Sequence, residues 1–355
     1  MRPPIQNASS RPPRGRVLIT GGAGFVGAAL ARRLVEAGRE VVVIDDLSGG
    51  RRSRLPVHAK LDFVLGDAGD PDRIIDLLQG GPRVTQLVHL AAVVGVRRVL
   101  ADPEGCRAAH ERLGASVESA LTAVAADRRP RLWAASTSEV YAESPGTLSE
   151  GSALRAVDGR GRWAYAGSKL AAEQCFDRLS RLWNVAAAPV HLRFFNVVGP
   201  GQDADSGMVL PNFVESARAG SPLEVHGDGR QERTFAHVDD VANCLAQLLD
   251  RPLMPAGPLN VGGDAATTIG ELARLVNERA GNDSRIVRVD PRRACGASFE
   301  DVRRRVPDLT RLRELSACVP SRALAAIVDD CLAAHPRATA LAAGAGRNAC
   351  ASPAS

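Results

Sequence analysis

Two side chains near the middle of the chain have the types and spacing needed for proton transfer. Tyr165 and Lys169 are four residues apart, so a helix places the phenol and the ammonium on one face. A nearby positive charge lowers the pKa of a phenol and makes the phenolate accessible near neutral pH. Lysine occurs only at Lys60 and Lys169, and tyrosine only at Tyr141 and Tyr165. That scarcity argues against a chance pairing on an ordinary amphipathic helix, and we expect Tyr165 to transfer a proton.

A glycine-rich segment near the N-terminus has the spacing of a dinucleotide-binding turn. Thr20-Gly-Gly-Ala-Gly-Phe-Val-Gly27 lies between a β-branched run and a helical pattern. Its glycines permit a tight turn and close approach of the backbone to a pyrophosphate, which the amides at the helix start would hold. Asp45 ends the next apolar run, where a carboxylate accepts hydrogen bonds from ribose hydroxyls and repels a 2′-phosphate. These features predict NAD, rather than NADP, as the cofactor.

A polar loop follows another apolar run. The segment Ser136-Thr137-Ser138-Glu139-Val140-Tyr141 comes at the carboxyl end of a predicted parallel strand, where ligands bind in such folds. Its hydroxyls can hydrogen-bond a substrate oxygen, and Glu139 can move a proton. Taken alone, the segment is an ordinary polar loop.

Alternating strands and helices must bring these segments together. We predict strands at 16–20, 41–44, 61–65, 86–90, 131–135 and 190–194, and helices at 28–36, 71–78, 103–126 and 163–183. This alternation predicts an α/β fold of the Rossmann type, with a doubly wound parallel sheet. After residue 201 the alternation weakens, and it returns with a helix at 237–250 and a strand at 259–261. Thr268 and Glu271 resemble a capping pair that opens a helix to about residue 280.

The same pattern divides the chain into regions. We predict a NAD-binding domain at 16–200, completed by about 235–265, and a smaller C-terminal α/β substrate lobe at 201–234 and 266–335. Residues 1–15 are rich in Pro, Arg and Ser, and residues 336–355 lack sustained periodicity. We expect both segments to be disordered tails.

Composition excludes several classes of protein. The chain has 355 residues, 45% of them hydrophobic, which is enough for a substantial core. The net charge of +5 is spread over isolated arginines without a basic, aromatic-rich block, so a nucleic-acid partner is not expected. Its seven cysteines show no paired short spacing, which argues against a zinc site or a disulfide scaffold. The longest apolar run, at about 87–96, is too short to span a membrane, and we expect a cytoplasmic protein that binds a small anionic ligand.

Along the chain, the glycine-rich turn comes first, the polar loop second, and the pair of Tyr165 and Lys169 third. Motifs in this order resemble the extended short-chain dehydrogenase/reductase family, which includes nucleotide-sugar epimerases, dehydratases and decarboxylases. The resemblance covers roughly residues 15–335. Further matching segments are His89-Leu-Ala-Ala92, Arg193-Phe-Phe-Asn-Val-Val-Gly-Pro200, Gly227-Asp-Gly-Arg-Gln-Glu-Arg233, Phe235-Ala-His-Val-Asp-Asp-Val241, Asn260-Val-Gly-Gly263 and Arg304-Arg-Val-Pro-Asp308. The combination is specific for the family.

The resemblance implies roles for the matched residues. Those implied to bind NAD are Gly21, Gly24, Phe25, Val26, Gly27, Asp45, Asp67, Ala91 and Lys169. Those implied to be catalytic are Tyr165 as the base, Lys169, Thr137 as a hydrogen-bond donor to the sugar O4, Ser138 and Glu139. Those implied to bind UDP are Asn196, Arg233 and Arg305. Guanidinium groups suit the two anionic phosphates of such a substrate.

The resemblance also implies a shared first step, oxidation of the sugar at C4, and leaves the second step open. Our first hypothesis is decarboxylation of UDP-glucuronate to a UDP-pentose, UDP-xylose. It is favoured by Glu139 and by the segment at 304–308. The alternative is 4-epimerisation of a UDP-hexose, because residues 207–212 are closer to epimerases. Ser138 stands where 4,6-dehydratases usually have Asp, which argues against that reaction. A third hypothesis is a catalytically idle NAD-binding regulator.

Some positions depart from the family pattern. His110 replaces a usual Asn, Ala142 replaces a Gly, and Ser316-Ala-Cys318 replaces a segment that usually carries Gly and an aromatic residue. These departures are compatible with an unusual substrate or an altered contact of the lobe. The predicted helices at 103–126 and 163–183 correspond to the pair that forms a four-helix dimer contact in relatives, so the resemblance implies a homodimer.

Overall fold

A seven-stranded parallel sheet forms the centre of the fold. The computed structural model describes residues 15–156, 161–182, 188–204, 207–292 and 302–334. In spatial order the strands are β3 (Leu61–Leu65), β2 (Val41–Asp45), β1 (Arg16–Thr20), β4 (Val84–His89), β5 (Arg131–Thr137), β6 (Val190–Phe194) and β11 (Gly257–Val261). Every neighbouring pair is parallel. This sheet confirms the predicted Rossmann-type fold class.

Helices cover both faces of the sheet because its strands are apolar on both sides; all five residues of β2, for example, are buried. Helices α1 (Phe25–Glu36) and α7 (Val238–Leu249) pack on one face. Helices α2 (Pro71–Gln79), α4 (Pro103–Ala123) and α5 (Ala164–Leu182) pack on the other. A short helix that the sequence did not predict, α3 (Val96–Ala101), precedes α4.

The remaining described elements form three small sheets and a separate apolar core. The strand pairs are β7 (Val197–Val198) with β10 (Ala236–His237), and β8 (Leu223–His226) with β13 (Ile286–Val289). A three-stranded sheet has the order β12 (Ala266–Thr268), β9 (Glu232–Thr234), β14 (Arg304–Arg305). The further helices are α6 (Val209–Arg218), α8 (Ile269–Ala280), α9 (Thr310–Leu315) and α10 (Leu324–Ala333). The capping pair predicted for α8 is confirmed, since Thr268 Oγ1 accepts from Glu271 N at 3.1 Å.

Some sequence predictions require correction or lie beyond the structure. Helix α1 begins at Phe25 instead of residue 28. Helix α4 ends at Ala123, because the backbone becomes extended at Val124, and a separate 3₁₀ turn follows at Ala126–Arg128. The predicted disordered tails lie outside the described residues, except for Gly15. No helix in the described ranges is long and apolar enough to cross a membrane.

The strand order reverses between β1 and β4, where the chain winds outward from β1 in both directions. Such a switch point opens a crevice at the carboxyl ends of the strands, which is where open α/β sheets bind ligands. The glycine-rich turn, Asp45 and Thr137 all lie at these strand ends. The fold therefore gathers the chemically interesting segments at one edge of the sheet.

Candidate active site

The glycine-rich turn packs too tightly for larger residues. Gly21 has a φ of +69°, and a Cβ placed there would lie 2.6 Å from Ala91 N. A Cβ on Gly27 would lie 2.4 Å from Gly21 O. These contacts bring the start of α1 and the loop after β4 against the end of β1. The structure thus places Ala91, a predicted cofactor residue, directly beside the turn.

The start of α1 is suited to a phosphate group. Gly24 is the N-cap, and no side chain caps this end of the helix in the structure. The amides of Phe25, Val26 and Gly27 belong to the first turn and have no acceptor within the helix. Because these amides and the helix dipole attract anions, this end fits the pyrophosphate of a dinucleotide.

Asp45 is held between the glycine turn and the following loop. Its Oδ2 accepts from Ala23 N at 2.9 Å, and its Oδ1 accepts from Leu47 N at 2.8 Å. Gly50 packs so closely that a Cβ there would lie 2.6 Å from Asp45 Oδ1. The carboxylate is 6% exposed and fixed at the end of β2. This geometry fits recognition of a ribose.

Replacing Asp45 by Asn is expected to raise the dissociation constant of NAD about 10-fold, since hydrogen bonds to charged groups contribute about 1.5–3 kcal/mol. The preference for NAD over NADP is expected to narrow as well, because the negative charge that repels a 2′-phosphate is removed. Calorimetric titration with both dinucleotides measures the two effects. Asp46→Asn is the matched control, because Asp46 is exposed and bonds only Ser48 among the contacts described. Equal NAD affinity in the two variants would contradict the assignment of Asp45.

Asp67 follows β3 and carries a partner that sequence reasoning missed. Its Oδ1 accepts from Gly69 N at 2.7 Å, and its Oδ2 accepts from Arg112 Nη1 at 2.5 Å. Burial favours a higher pKa for Asp67, but Arg112 and the Gly69 amide outweigh it and lower the pKa. Arg112 belongs to α4, so no local spacing in the sequence pointed to this pair. An ionised acceptor therefore stands at the predicted adenine position.

Tyr165 and Lys169 lie together at the start of α5. The Lys169 Nζ is 5.9 Å from the centre of the Tyr165 ring, and Lys169 is buried. Burial lowers the pKa of Lys169 to about 8. For Tyr165, burial together with the charge of Glu139 raises the pKa above its usual value. The sequence-based expectation of a lowered phenol pKa is therefore wrong, because desolvation of the phenol dominates.

The lowered pKa of Lys169 predicts an alkaline decline in activity. As pH rises through about 8, the ammonium loses its proton, so kcat/KM is expected to fall above that pH. Lys169→Arg keeps its charge in this range and is expected to abolish the decline, although at a lower maximal rate. Initial rates between about pH 6 and pH 10 measure both profiles. An unchanged alkaline limb in the arginine variant would assign the titration to another group.

The same pKa has a consequence for stability. Between about pH 8 and 10.5, the ordinary pKa of a lysine side chain, the unfolded chain binds more protons at Lys169 than the folded chain does. The cost of burying Lys169 is therefore fully present below pH 8 and is relieved as pH rises through this window.

The catalytic loop predicted from the sequence forms a 3₁₀ turn at Ser138–Val140, directly after β5. Thr137 caps the turn, because its Oγ1 accepts from Glu139 N at 3.2 Å. Thr137 and Ser138 are 8% and 3% exposed. The hydroxyl hydrogen of Thr137 is not needed for this cap, so it can be donated to a substrate oxygen.

Glu139 lies between two guanidinium groups. Its Oε2 accepts from Arg162 Nη1 at 3.1 Å, and its Oε1 accepts from Arg305 Nη1 at 2.9 Å. Burial favours a higher pKa for Glu139, but Arg305 and Arg162 outweigh it and lower the pKa to about 2. The carboxylate is thus an ion held by two cations, an arrangement that favours positioning over the proton movement expected from the sequence. Sequence reasoning missed Arg162, whose only signal was its place one turn before Tyr165.

The three residues predicted to bind UDP lie close to one another. Arg233 and Arg305 are directly paired positions of the neighbouring strands β9 and β14. Asn196 follows β6, and its Nδ2 donates to Thr234 O, also in β9, at 2.8 Å. Its φ of +23° is unusual for a residue other than glycine and costs about 1–3 kcal/mol, a type of strain that clusters at functional sites. The structure therefore brings these three predicted residues to one side of the cleft.

His110, which departs from the family pattern, connects α4 with α5, the helix that carries Tyr165 and Lys169. Its Nε2 accepts from Val93 N at 3.0 Å, so its Nδ1 carries the proton and donates to Ser168 Oγ at 2.8 Å. Its ring contacts the Tyr165 ring with the centroids 5.4 Å apart. Burial and the charge of Lys169 lower the pKa of His110 to about 3. A neutral imidazole therefore links the loop after β4 to α5.

Comparisons with known proteins agree with this geometry. The family model described as "NAD dependent epimerase/dehydratase family" matches residues 17–262. A UDP-N-acetyl-alpha-D-glucosaminuronate decarboxylase of Bacillus cytotoxicus is 30% identical over 312 residues, covering 86% of this chain and 93% of that protein. A UDP-glucose 4-epimerase of Thermus thermophilus solved with NAD is 26% identical, with a TM-score of 0.73 and coverage of 90% and 98%. MoeE5, solved with UDP-glucuronic acid and NAD, is 29% identical, with a TM-score of 0.71 and the same coverage.

The family resemblance read from the motifs is thereby confirmed. The match spans the glycine-rich turn, the loop at the end of β5 and the helix that carries Tyr165 and Lys169. The relatives extend the similarity through the C-terminal elements that carry Arg305. The chain therefore belongs to the NAD dependent epimerase/dehydratase family.

Proposed function

We propose that this enzyme oxidises C4 of a UDP-sugar and decarboxylates a UDP-hexuronate, with UDP-glucuronate and UDP-xylose as the first candidates for substrate and product. The observation that carries the choice of reaction is the pairing of Arg162 and Arg305 around Glu139. Two guanidinium groups at this place suit the C6 carboxylate of a hexuronate. An uncharged hexose, the substrate of the alternative 4-epimerase, does not use that charge.

Arg305 provides a second observation in favour of an anionic sugar. Its Nη1 donates to Glu139 Oε1 at 2.9 Å, and its side chain is 13% exposed. A guanidinium can donate to a carboxylate with two parallel hydrogen bonds, which suits the C6 group of a hexuronate. We therefore propose that Arg305 binds the sugar carboxylate instead of UDP, and that Asn196 and Arg233 bind UDP.

The residues of the cleft can carry out this reaction. NAD held by the glycine-rich turn and Asp45 would supply a hydride acceptor for C4 and a source for the hydride's return. Tyr165 takes the proton from O4, Thr137 donates a hydrogen bond to that oxygen, and Lys169 supplies positive charge beside the phenol. The resulting C4 carbonyl is β to the C6 carboxylate, so the C5–C6 bond breaks and its electron pair moves into an enolate at O4. As carbon dioxide leaves, C5 takes a proton from solvent, which restores the C4 carbonyl. Tyr165 then gives its proton back to O4 when the hydride returns to C4.

A panel of UDP-sugars tests the proposed reaction. Purified enzyme with NAD is incubated with UDP-glucuronate, UDP-N-acetylglucosaminuronate and UDP-glucose, and the products are identified by NMR. We expect a UDP-pentose or its 2-acetamido counterpart from a hexuronate. Conversion of UDP-glucose to its 4-epimer, with both hexuronates unchanged, would favour the alternative. NAD binding without conversion of any sugar would favour the idle regulator.

We also propose a cytoplasmic homodimer that pairs α4 and α5 with the same helices of a second copy. The two helices pack side by side on one face of the sheet. Two hydrogen bonds join them: Cys175 Sγ donates to Glu118 Oε2 at 3.1 Å, and His110 bonds Ser168. Light scattering is expected to give twice the chain mass of 37.4 kDa. A mass of one chain at micromolar concentration would contradict the dimer.

A further inference from the structure

We propose that a buried ionic network centred on Glu173 and Arg193 fixes the catalytic helix against the catalytic loop, which makes both side chains positioning residues. The proposal rests on the function proposed above. Glu173 and Arg193 are 5% and 3% exposed, and neither belongs to the predicted catalytic set. We infer their role from the elements that they connect, which are α5, β5 and the segment that carries Arg305.

One side of the network joins α5 to β5. Glu173 Oε1 accepts from Ser136 Oγ at 2.5 Å and from Arg193 Nε at 3.0 Å, while its Oε2 accepts from Arg193 Nη2 at 2.6 Å. Glu173 lies one helical turn beyond Lys169, and Ser136 immediately precedes Thr137. The bond between Glu173 and Ser136 therefore sets the distance between the helix that carries the base and the loop that holds the substrate oxygen.

The other side of the network reaches the segment that carries Arg305. The Arg193 guanidinium lies 4.8 Å from the centre of the Tyr141 ring, and Tyr141 Oη donates to Asn260 Oδ1 at 2.6 Å. Asn260 Nδ2 in turn donates to Leu148 O at 2.7 Å. Leu148 N donates to Val306 O at 2.8 Å, next to Arg305. A continuous set of contacts thus links the base, the loop and Arg305.

Stability alone does not account for a buried ion pair at this place. Desolvation of two charges offsets most of their attraction, and apolar residues of similar volume often give an equally stable fold. A fixed fork of hydrogen bonds does what apolar packing cannot, because it sets one distance and one orientation. We therefore assign the pair a role in geometry.

The test replaces both charges at once, since removal of one partner leaves an uncompensated buried charge. The double variant Glu173→Met/Arg193→Met is expected to keep a melting temperature near that of the wild type. Its kcat is expected to fall about 100-fold with little change in KM, because a displacement of the catalytic groups by about 1 Å has an effect of that size. The control is Arg39→Met/Asp250→Met, because Arg39 is buried, pairs with Asp250 at the end of α7, and precedes β2 at the amino end of the strand, away from the carboxyl ends that form the cleft. We expect the control to keep kcat within about twofold.

A second variant keeps the proposal testable if the double variant does not fold. Ser136→Ala removes only the bond between β5 and Glu173, and we expect kcat to fall about 10-fold at unchanged KM, the effect of losing about one hydrogen bond. Wild-type kcat in Ser136→Ala would overturn the proposal, as would wild-type kcat in a folded double variant.

Hydrogen exchange separates this proposal from the function on which it rests. In the protein without substrate, the amides of residues 165–173 are expected to exchange faster in both variants than in the wild type and the control. If the wild type converts no UDP-sugar, the proposed function fails while the exchange rates still decide the positioning role. Unchanged exchange in both variants would overturn the proposal.

Discussion

Tyr165→Phe is expected to lower kcat about 1,000-fold, within the range contributed by general acid–base catalysis. Phenylalanine fills the same space against His110 and Lys169 but cannot take the O4 proton. NAD affinity and melting temperature are expected to stay near their wild-type values. Stopped-flow absorbance at the nicotinamide band, together with steady-state product formation, measures the loss.

Turnover by the Tyr165→Phe variant at more than about one-tenth of the wild-type rate would contradict the role of the phenol. An unfolded variant would leave NAD titration without a signal, so binding is measured first on the same preparation. The idle-regulator hypothesis gives the opposite expectation, because it requires that the variant behave like the wild type in every assay.

Arg305→Met is expected to reduce the affinity for UDP-glucuronate about 100-fold and leave the affinity for UDP unchanged. The loss corresponds to a buried charge-assisted contact, about 3 kcal/mol. The sequence-based role, in which Arg305 grips UDP, predicts equal losses for both ligands. Competition binding with UDP, UDP-glucose and UDP-glucuronate distinguishes these roles.

Arg304→Met provides the matched control for Arg305. Arg304 is the adjacent residue on β14, but it pairs with Glu232 instead of Glu139. Removal of the same charge there is expected to leave affinity for both ligands within about twofold, as for most surface substitutions. Equal losses of affinity for UDP and for UDP-glucuronate in Arg305→Met would contradict the proposed role and support the one predicted from the sequence, in which Arg305 binds UDP.

Local patterns were enough to predict the fold class and the motifs. The glycine-rich turn and the spacing of Tyr165 and Lys169 are short-range features, because one turn or one helix fixes them. The strand at 190–194 and the capping pair of Thr268 and Glu271 were also readable, since periodicity and capping chemistry are local.

What the sequence did not reveal depends on contacts between distant segments. Arg112 pairs with Asp67, and Arg193 pairs with Glu173, because the fold brings segments that are distant in the sequence together. The raised pKa of Tyr165 follows from burial, which spacing along a helix does not report. The helix at 96–101 is short and begins after Gly95 at a φ of 120°, so it lacks the periodic signal of a longer helix.

Decarboxylation at C6 is tested most directly by the reaction of UDP-glucuronate in deuterated water, followed by NMR. Because C5 gains a solvent-derived proton when carbon dioxide leaves, we predict a UDP-pentose that carries deuterium at C5, formed by the wild type and absent with Tyr165→Phe. Recovery of unlabelled UDP-glucuronate, or of its 4-epimer with the carboxylate intact, would contradict the account.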